Sequence, residues 1–227
     1  MMAGIRQSGA LRLLAGLVTG LALSGAVRAA DLREFIRETQ QSAAVSQQLT
    51  LAWWIPQEFW ELSLAGNPNV PPQTAADIRN AFHDYQVFAL LRATTGLQGL
   101  SGVATKEELL GNAHLEMGGK LISPVDADKV PAAVQAMLGG MRPMLASTLG
   151  QLGQSMELVV YPAFVDGHRL IDPLKSGSLQ YTLYDQTFHW RLPLASLLPK
   201  KIDPKSKEEF PGNYEFNPYT GGKLSVK

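Results

Sequence analysis

The chain has 227 residues, with 20 lysines and arginines against 20 aspartates and glutamates, and it contains no cysteine. This balanced charge gives no electrostatic basis for binding nucleic acid, and the lack of cysteine fits an exported protein that avoids adventitious disulfides. About 200 residues follow the first 30, which is enough for one domain and a small appendage.

The first 30 residues predict a signal peptide. Arg6 and Arg12 precede an apolar run over residues 13–23, and residues 27–29 (Val-Arg-Ala) fit the recognition positions of a signal peptidase. We expect cleavage after Ala29 and a periplasmic or secreted protein. Retention as an uncleaved anchor is the alternative, although the run is short for a membrane span. Removing three arginines leaves 17 basic against 20 acidic residues, a net charge of −3, and no second apolar stretch of membrane-spanning length.

Hydrophobic periodicity predicts the elements that follow. A helix over residues 31–48 begins at Asp31, whose side chain can cap it. Residues 49–55 alternate between apolar and mixed positions, as a strand does. The next elements are a helical turn at 57–64, a helix at 75–83 capped by Thr74, and a largely apolar strand at 85–94, typical of the centre of a sheet.

The second half predicts a helical turn at 106–110, a strand at 114–123, a long helix at 126–152 and a strand at 156–163. Pro143 predicts a kink near the middle of the long helix. The resulting order is strand, helix, strand, strand, helix, strand. It predicts an α+β domain over residues 49–200 with a ferredoxin-like β-α-β-β-α-β antiparallel sheet, one face of which is covered by two helices.

Residues 178–192 predict an added β-hairpin. With Asp185 and Gln186 at the turn, Tyr181 would pair with Trp190, so that apolar side chains share one face and polar side chains the other. A slip of one residue would mix the two sets, which favours a well-defined register.

The C-terminal tail, residues 201–227, contains two similar tetrapeptides separated by ten residues. They are Asp203-Pro204-Lys205-Ser206 and Asn217-Pro218-Tyr219-Thr220, and Gly-Gly-Lys-Leu follows the second one. With cysteine at Asp203, Ser206, Asn217 and Thr220, residues 202–224 would have the two-knuckle spacing of a structural zinc site. The tail therefore resembles a zinc ribbon in which all four cysteines are replaced.

This resemblance implies a small docking or stabilising element. One carboxylate and three neutral oxygens would bind zinc poorly, so we expect a metal-free module held by aromatic packing. The resemblance covers about a tenth of the chain, and no family is identified for residues 31–200.

No group of residues converges on an enzyme active site. The chain has no nucleophile elbow, phosphate loop or dinucleotide fingerprint, so we assign no catalytic residue, cofactor or metal. The candidate binding residues are Trp54, His189 and Arg191. Trp54 lies on the opposite face of its strand from Trp53, where it either meets a partner or packs beneath the tail or the first helix. His189 and Arg191 share the polar face of the hairpin.

Export, the lack of catalytic groups, an uncovered sheet face and the tail favour a non-catalytic binding or assembly module of the bacterial cell envelope. Its partner would be an envelope protein or a small ligand. One alternative is an envelope hydrolase that uses Asp166, His168 and Asp172, or the His189 and Arg191 pair.

A second alternative is a periplasmic metal-handling protein. Met137, Met141 and Met144 fall at helical spacing, and thioethers bind Cu(I). Core packing is the other interpretation of this stripe, because methionine commonly fills gaps in protein interiors.

Overall fold

The computed structural model of the chain describes residues 32–65, 67 and 69–226. These residues combine helices with antiparallel sheets, which confirms the predicted α+β class. The predicted signal peptide over residues 1–30 lies outside the described residues, as does Asp31, the predicted cap of the first helix.

The helices span residues 32–39 (α1), Gln57–Leu64 (α2), Pro72–Phe82 (α3), Lys106–Gly111 (α4), Ala132–Leu149 (α5) and Gln151–Gln154 (α6). Thr74 does not cap α3, because that helix already starts at Pro72, whose ring fixes the backbone angle that a first helical residue needs. The helix predicted over 126–152 is divided. Ala127–Lys129 is a separate 3-10 turn, and Gly150 separates α5 from α6.

The strands span Gln40–Val45 (β1), Gln48–Ile55 (β2), Tyr85–Gly96 (β3), Gly99–Ser101 (β4), Ala113–Met117 (β5), Lys120–Ile122 (β6), Glu157–Pro162 (β7), Phe164–Val165 (β8), His168–Arg169 (β9), Ser178–Leu183 (β10), Gln186–Arg191 (β11), Lys201–Ile202 (β12), Glu209–Phe210 (β13) and Ser225–Val226 (β14). They form two larger sheets, a small tail sheet and the short β8–β9 hairpin.

The first sheet contains β1, β2, β3, β4 and β7. Its order is β1-β2-β3, and both β4 and β7 pair with the far edge of the long strand β3. Most of β2 and β3 is buried on both faces, because helices cover one face and a second sheet covers the other. The second sheet has the order β11-β10-β5-β6.

The ferredoxin-like order is not found. The fold requires the four predicted strands to share one sheet, but β2, β3 and β7 lie in the first sheet while β5 pairs with β10 in the second. The strand predicted over 114–123 is a hairpin, because Gly118 and Gly119 both adopt positive φ angles and turn the chain between β5 and β6.

The helix predicted over 31–48 ends at residue 39, and its second half is the strand β1. Every residue of β1 pairs with β2, so sheet formation outweighs the helical preference of its alanines and glutamines. At the junction, the Thr39 hydroxyl donates to the Phe35 carbonyl at 2.9 Å, while the Trp190 indole donates to the Thr39 carbonyl at 2.8 Å.

The predicted hairpin forms as β10 and β11, with its turn at Tyr184 and Asp185, one residue earlier than expected. Each pairing is therefore shifted by two residues, and Tyr181 faces Phe188 instead of Trp190. A shift of two keeps every side chain on its predicted face, since side chains alternate with a period of two. The apolar face is buried against the first sheet.

The tail folds as a three-stranded sheet in the order β13-β12-β14. It packs on the segment that follows the hairpin: the Asn213 amide donates to the Pro193 carbonyl at 3.0 Å, and Gly212 lies close against Leu198 and Pro199. In the described part of the chain, no helix has the length and hydropathy needed to cross a bilayer.

Candidate functional site

A cavity of about 550 Å³, the helical cavity, lies between the first sheet and the helices that cover it. Helices α1, α2, α3 and α5 and strand β2 contribute to its lining. Its aromatic side is formed by Trp53, Phe59, Trp60 and Phe82, and its opposite side by Met137, Met141 and Met144 with leucines of α5.

The aromatic side is held by ring contacts. Trp60 stacks on Phe82 with ring centroids 4.2 Å apart and an interplanar angle of 9°. Phe59 meets both Trp53 and Trp60 edge to face, at 5.6 and 5.1 Å. The Trp53 indole also donates a hydrogen bond to the Thr39 hydroxyl at 3.2 Å, which orients the ring. These contacts fix the rings relative to one another along one wall of the cavity.

The side formed by α5 has a different character. Met141 is buried, whereas Met144 is 47% exposed and marks where the cavity meets solvent. Gly140 also lines the cavity, and a Cβ atom added there would have nothing within 4 Å. Flexible thioethers beside an open glycine leave room for a ligand and allow the wall to adapt to its shape.

The electrostatic environment of the cavity is neutral. Among the described lining residues, Gln40, Ser63 and Asn67 contribute polar side chains and none carries a charge. The pairing Arg142–Glu157, at 2.7 Å, and the contact Arg79–Glu61, at 3.9 Å, involve residues outside this lining. The cavity therefore suits an uncharged apolar molecule.

Trp54, a predicted binding residue, is completely buried. It lies between the two sheets, where its indole donates to the Gln86 side-chain oxygen at 2.7 Å and its ring meets Trp190 edge to face at 6.3 Å. The alternation placed it correctly on the face opposite Trp53. The second sheet covers that face. The alternation within one strand of the first sheet does not indicate which other strands pack on it.

His189 and Arg191 lie on the outer face of the second sheet, as predicted. The His189 carbonyl accepts a hydrogen bond from the Gln41 side chain at 2.6 Å. The Arg191 guanidinium lies 5.5 Å from the ring centroid of Tyr214 and lines a depression shared with the tail. Arg191 therefore contacts the tail, while His189 does not line this depression.

The hydrolase candidates Asp166, His168 and Asp172 are not connected. Among the described residues, no hydrogen bond or ion pair joins the three. Asp172 instead accepts a hydrogen bond from the Leu174 N–H and pairs with Lys175, and these contacts hold the pKa of its carboxyl below the ordinary value. Asp166 occupies the β8–β9 turn with a φ of 52°.

The four zinc-ribbon positions of the tail come together as two hydrogen-bonded turns. Asp203 and Asn217 are both buried, and the Asn217 amide donates to the Asp203 carboxylate at 2.6 Å. The other carboxylate oxygen accepts from the N–H groups of Lys205 and Ser206 at 2.8 and 3.2 Å. The Asn217 amide, followed by the Lys205 N–H, holds the pKa of Asp203 below its ordinary value.

The second turn repeats the first. The Asn217 side-chain oxygen accepts from the N–H groups of Tyr219 and Thr220, and the Thr220 hydroxyl accepts from the Gly222 N–H. The Ser206 hydroxyl accepts from the Glu208 N–H in the same way. Within the described residues, no group of three or more histidine, cysteine, aspartate or glutamate side chains could hold a metal ion.

Sequence patterns did not indicate the residues that line the helical cavity, except for the methionine stripe. Phe59, Trp60 and Phe82 come from two different helices, and nothing in their spacing indicates that their rings meet. Gly140 in an otherwise apolar helix was a further available signal, because a helix interior tolerates glycine where space beside it is needed.

Comparison with known proteins finds no relative: no protein-family model, no curated protein and no solved structure matches the chain. Its function is therefore inferred from its own geometry.

Proposed function

We propose that this chain is a non-catalytic binding module of the bacterial cell envelope and that its ligand is an uncharged apolar molecule held in the helical cavity. The observation that carries this proposal is a space of about 550 Å³ lined by aromatic, leucine and methionine side chains without a charged group. Ligand sites of this volume and lining are common in proteins. The signal peptide predicted from residues 1–30 supports the envelope as the location.

The helical cavity is open to solvent and is not an enclosed packing defect. Protein interiors are filled nearly as densely as organic crystals, and voids larger than a water molecule are few. The exposed Met144 shows that the space opens to solvent instead, which gives a ligand a way in.

The test uses N-phenyl-1-naphthylamine, an uncharged apolar dye whose fluorescence rises in an apolar site. We expect the full chain to bind the dye, and Gly140→Leu, which adds a side chain into the cavity, to weaken binding about tenfold, or by about 1.4 kcal/mol. The matched control is Gly139→Leu, which sits on the same helix but does not line the cavity. Equal binding by both variants, or no binding by the unaltered chain, would refute the proposal.

A second candidate function, Cu(I) binding, is supported by one observation: the thioethers of Met137, Met141 and Met144 line the same cavity. Met141→Leu/Met144→Leu keeps the apolar volume and removes two sulfur ligands. Loss of Cu(I) binding with retained dye binding would favour the metal function, whereas no Cu(I) binding by the unaltered chain would eliminate it.

For the tail we propose a zinc-ribbon-like cap in which the Asp203–Asn217 hydrogen bond replaces the metal. The paired turns and their shared acceptor pattern support this hypothesis. Truncation after Lys200 should lower the melting temperature, because it removes the Asn213 and Tyr214 contacts with the main domain. EDTA should leave the melting temperature unchanged, and an EDTA-sensitive melt would contradict the proposed cap.

A further inference from the structure

A second space lies on the other side of α5, along the outer edge of β7. This edge groove has a volume of about 540 Å³ and is bounded by β7, by α5, by α4 and by the segment Pro124–Val130. It shares no lining residue with the helical cavity. Gly139 of α5 lines the groove, and a Cβ atom added there would have nothing within 4 Å.

The edge of β7 presents unpaired backbone groups to this groove. The Val160 carbonyl accepts a hydrogen bond from the Val125 N–H at 2.8 Å, so the peptide groups of Val160 point away from β3. The antiparallel ladder repeats every two residues, and the N–H and carbonyl of Leu158 therefore point the same way. Within the described residues, neither these two groups nor the Val160 N–H has a hydrogen-bond partner.

The two residues that carry these groups are mostly buried. Leu158 is 4% exposed and Val160 is 5% exposed. Buried backbone donors and acceptors are nearly always paired, because an unpaired one costs about 1–3 kcal/mol. The three unpaired groups of Leu158 and Val160 face the groove, and they therefore have the form of a strand edge that lacks a neighbouring strand there.

We infer that the edge groove binds an extended peptide segment of another protein, which adds to the first sheet as a strand beside β7. Main-chain hydrogen bonds to an exposed sheet edge are a general way to capture an extended peptide. The bond from Val125 covers one acceptor of β7 and shows that the edge can accept a donor, while the Arg142 guanidinium donates to the carbonyl of Met156, just before β7, at 3.4 Å. The groups of Leu158 remain for the incoming strand.

The shape of the groove selects a single strand over a second copy of the chain. α5 on one side and Pro124–Val130 on the other flank the β7 edge, so there is no flat surface on which a second sheet could align. Proteins normally block exposed sheet edges with charged residues or prolines, which prevents pairing with other sheets. Here Glu157 and Pro162 lie at the two ends of β7. A narrow peptide avoids these obstacles.

Charges around the groove suit a peptide that carries both signs. Lys106 and Arg142 contribute positive charge to its lining, and Asp126 and Asp128 contribute negative charge. Arg142 pairs with Glu157 at 2.7 Å and Asp126 pairs with Lys129 at 2.6 Å, which leaves Lys106 and Asp128 as the charged groups available to a ligand among the described lining residues. One acidic and one basic residue on the peptide would complement them.

The experiment uses an acetylated and amidated hexapeptide with alternating valine and threonine between a terminal glutamate and a terminal lysine. Its binding to the full chain is measured by calorimetry, beside two N-methylated forms that block alternate backbone N–H groups. A strand bonded along one edge uses one alternate set of N–H groups. We therefore expect one N-methylated form to bind about tenfold more weakly, or by about 1.4 kcal/mol, and the other to bind within about twofold of the parent.

The protein variants give an independent check. Gly139→Leu should weaken peptide binding about tenfold because its side chain enters the groove, whereas Gly140→Leu should leave it unchanged. If leucine at this position disturbs folding, Gly139→Ala is the milder variant and should weaken peptide binding to a smaller extent. No binding of the parent peptide, equal loss for both N-methylated forms, or unchanged binding by Gly139→Leu would each overturn the inference.

Discussion

The two faces of the first sheet are packed in opposite ways. Trp54 points to the second sheet and is sealed among Gln86, Phe88 and Trp190, with its indole nitrogen hydrogen-bonded. Its neighbour Trp53 points to the helices and lines a cavity of about 550 Å³. Adjacent residues of one strand thus belong to a filled interior on one side and to a partly open one on the other.

The difference indicates that the two faces of this sheet have different roles. The interface between the sheets is formed by large rings whose polar atoms pair with one another, such as the two tyrosine hydroxyls of Tyr161 and Tyr181 at 2.7 Å. A packed interface of this kind stabilises the fold but admits no ligand. The helical side of the sheet is less completely packed. We propose that the ligand binds in the space that remains there.

The largest expected effect is at Trp54. Trp54→Ala removes a fully buried ring from between the sheets and should lower the free energy of unfolding by about 3–5 kcal/mol in urea denaturation. Met144→Ala, at the mouth of the helical cavity, should cost less than about 1 kcal/mol, since that side chain is already half in solvent. Similar losses for the two variants would show that the faces are equally well packed. Trp54→Phe, a milder change, keeps part of the ring volume if alanine prevents folding.

The buried tyrosine pair provides the next test of the filled face. Tyr161→Phe leaves the Tyr181 hydroxyl without its partner and should destabilise the protein by about 1–3 kcal/mol. Adding Tyr181→Phe removes the stranded hydroxyl and should restore part of the loss, which a double-mutant cycle in urea measures. Tyr219→Phe, on the exposed face of the tail, is the control and should change little. Additive losses in the cycle would mean that the hydroxyls do not interact.

Alkaline pH should weaken the same interface. Burial raises the pKa of Tyr161 to about 12, and burial followed by the neighbouring Tyr161 raises the pKa of Tyr181 as well. The folded state holds these protons more tightly than the unfolded chain, whose tyrosines titrate near pH 10. The contribution of Tyr161 is therefore complete below pH about 10 and is lost as the pH rises through about 12, by up to about 1.4 kcal/mol per pH unit, and Tyr181 adds a loss of the same sign. Urea denaturation between pH 9 and pH about 11.5 measures this slope, and the double phenylalanine variant should flatten it.

Sequence patterns predicted the local elements well where one periodicity dominated. Strands at 49–55 and 85–94 and the hairpin at 178–192 follow directly from alternation, and the structure has all three. The exact hairpin register was wrong by two residues, because a shift of two leaves both faces intact and only the turn decides between them.

Patterns could not predict which strands share a sheet. β5 has the same alternation as β2, yet it pairs with β10 far along the chain instead of joining the predicted ferredoxin-like sheet. Sequence patterns could not predict the helical cavity for a related reason. It depends on the volume left between four helices and a strand, a quantity set by packing angles that no local pattern encodes. Gly140 and the stripe of Met137, Met141 and Met144 were the trace of the cavity that the sequence offered.

The smallest expected effect concerns the two open glycines of α5. Gly139→Ala and Gly140→Ala should each raise the free energy of unfolding by about 0.5–1 kcal/mol, since alanine favours a helix and the added methyl group meets nothing within 4 Å. Gly153→Ala is the matched control in the adjoining α6, where the new Cβ atom would collide with the Leu145 carbonyl oxygen and should destabilise the protein. Urea denaturation of the three variants distinguishes open space from contact. A loss of stability in Gly140→Ala would mean that the helices close on the cavity in solution, and the contrast between the two faces of the first sheet would then disappear.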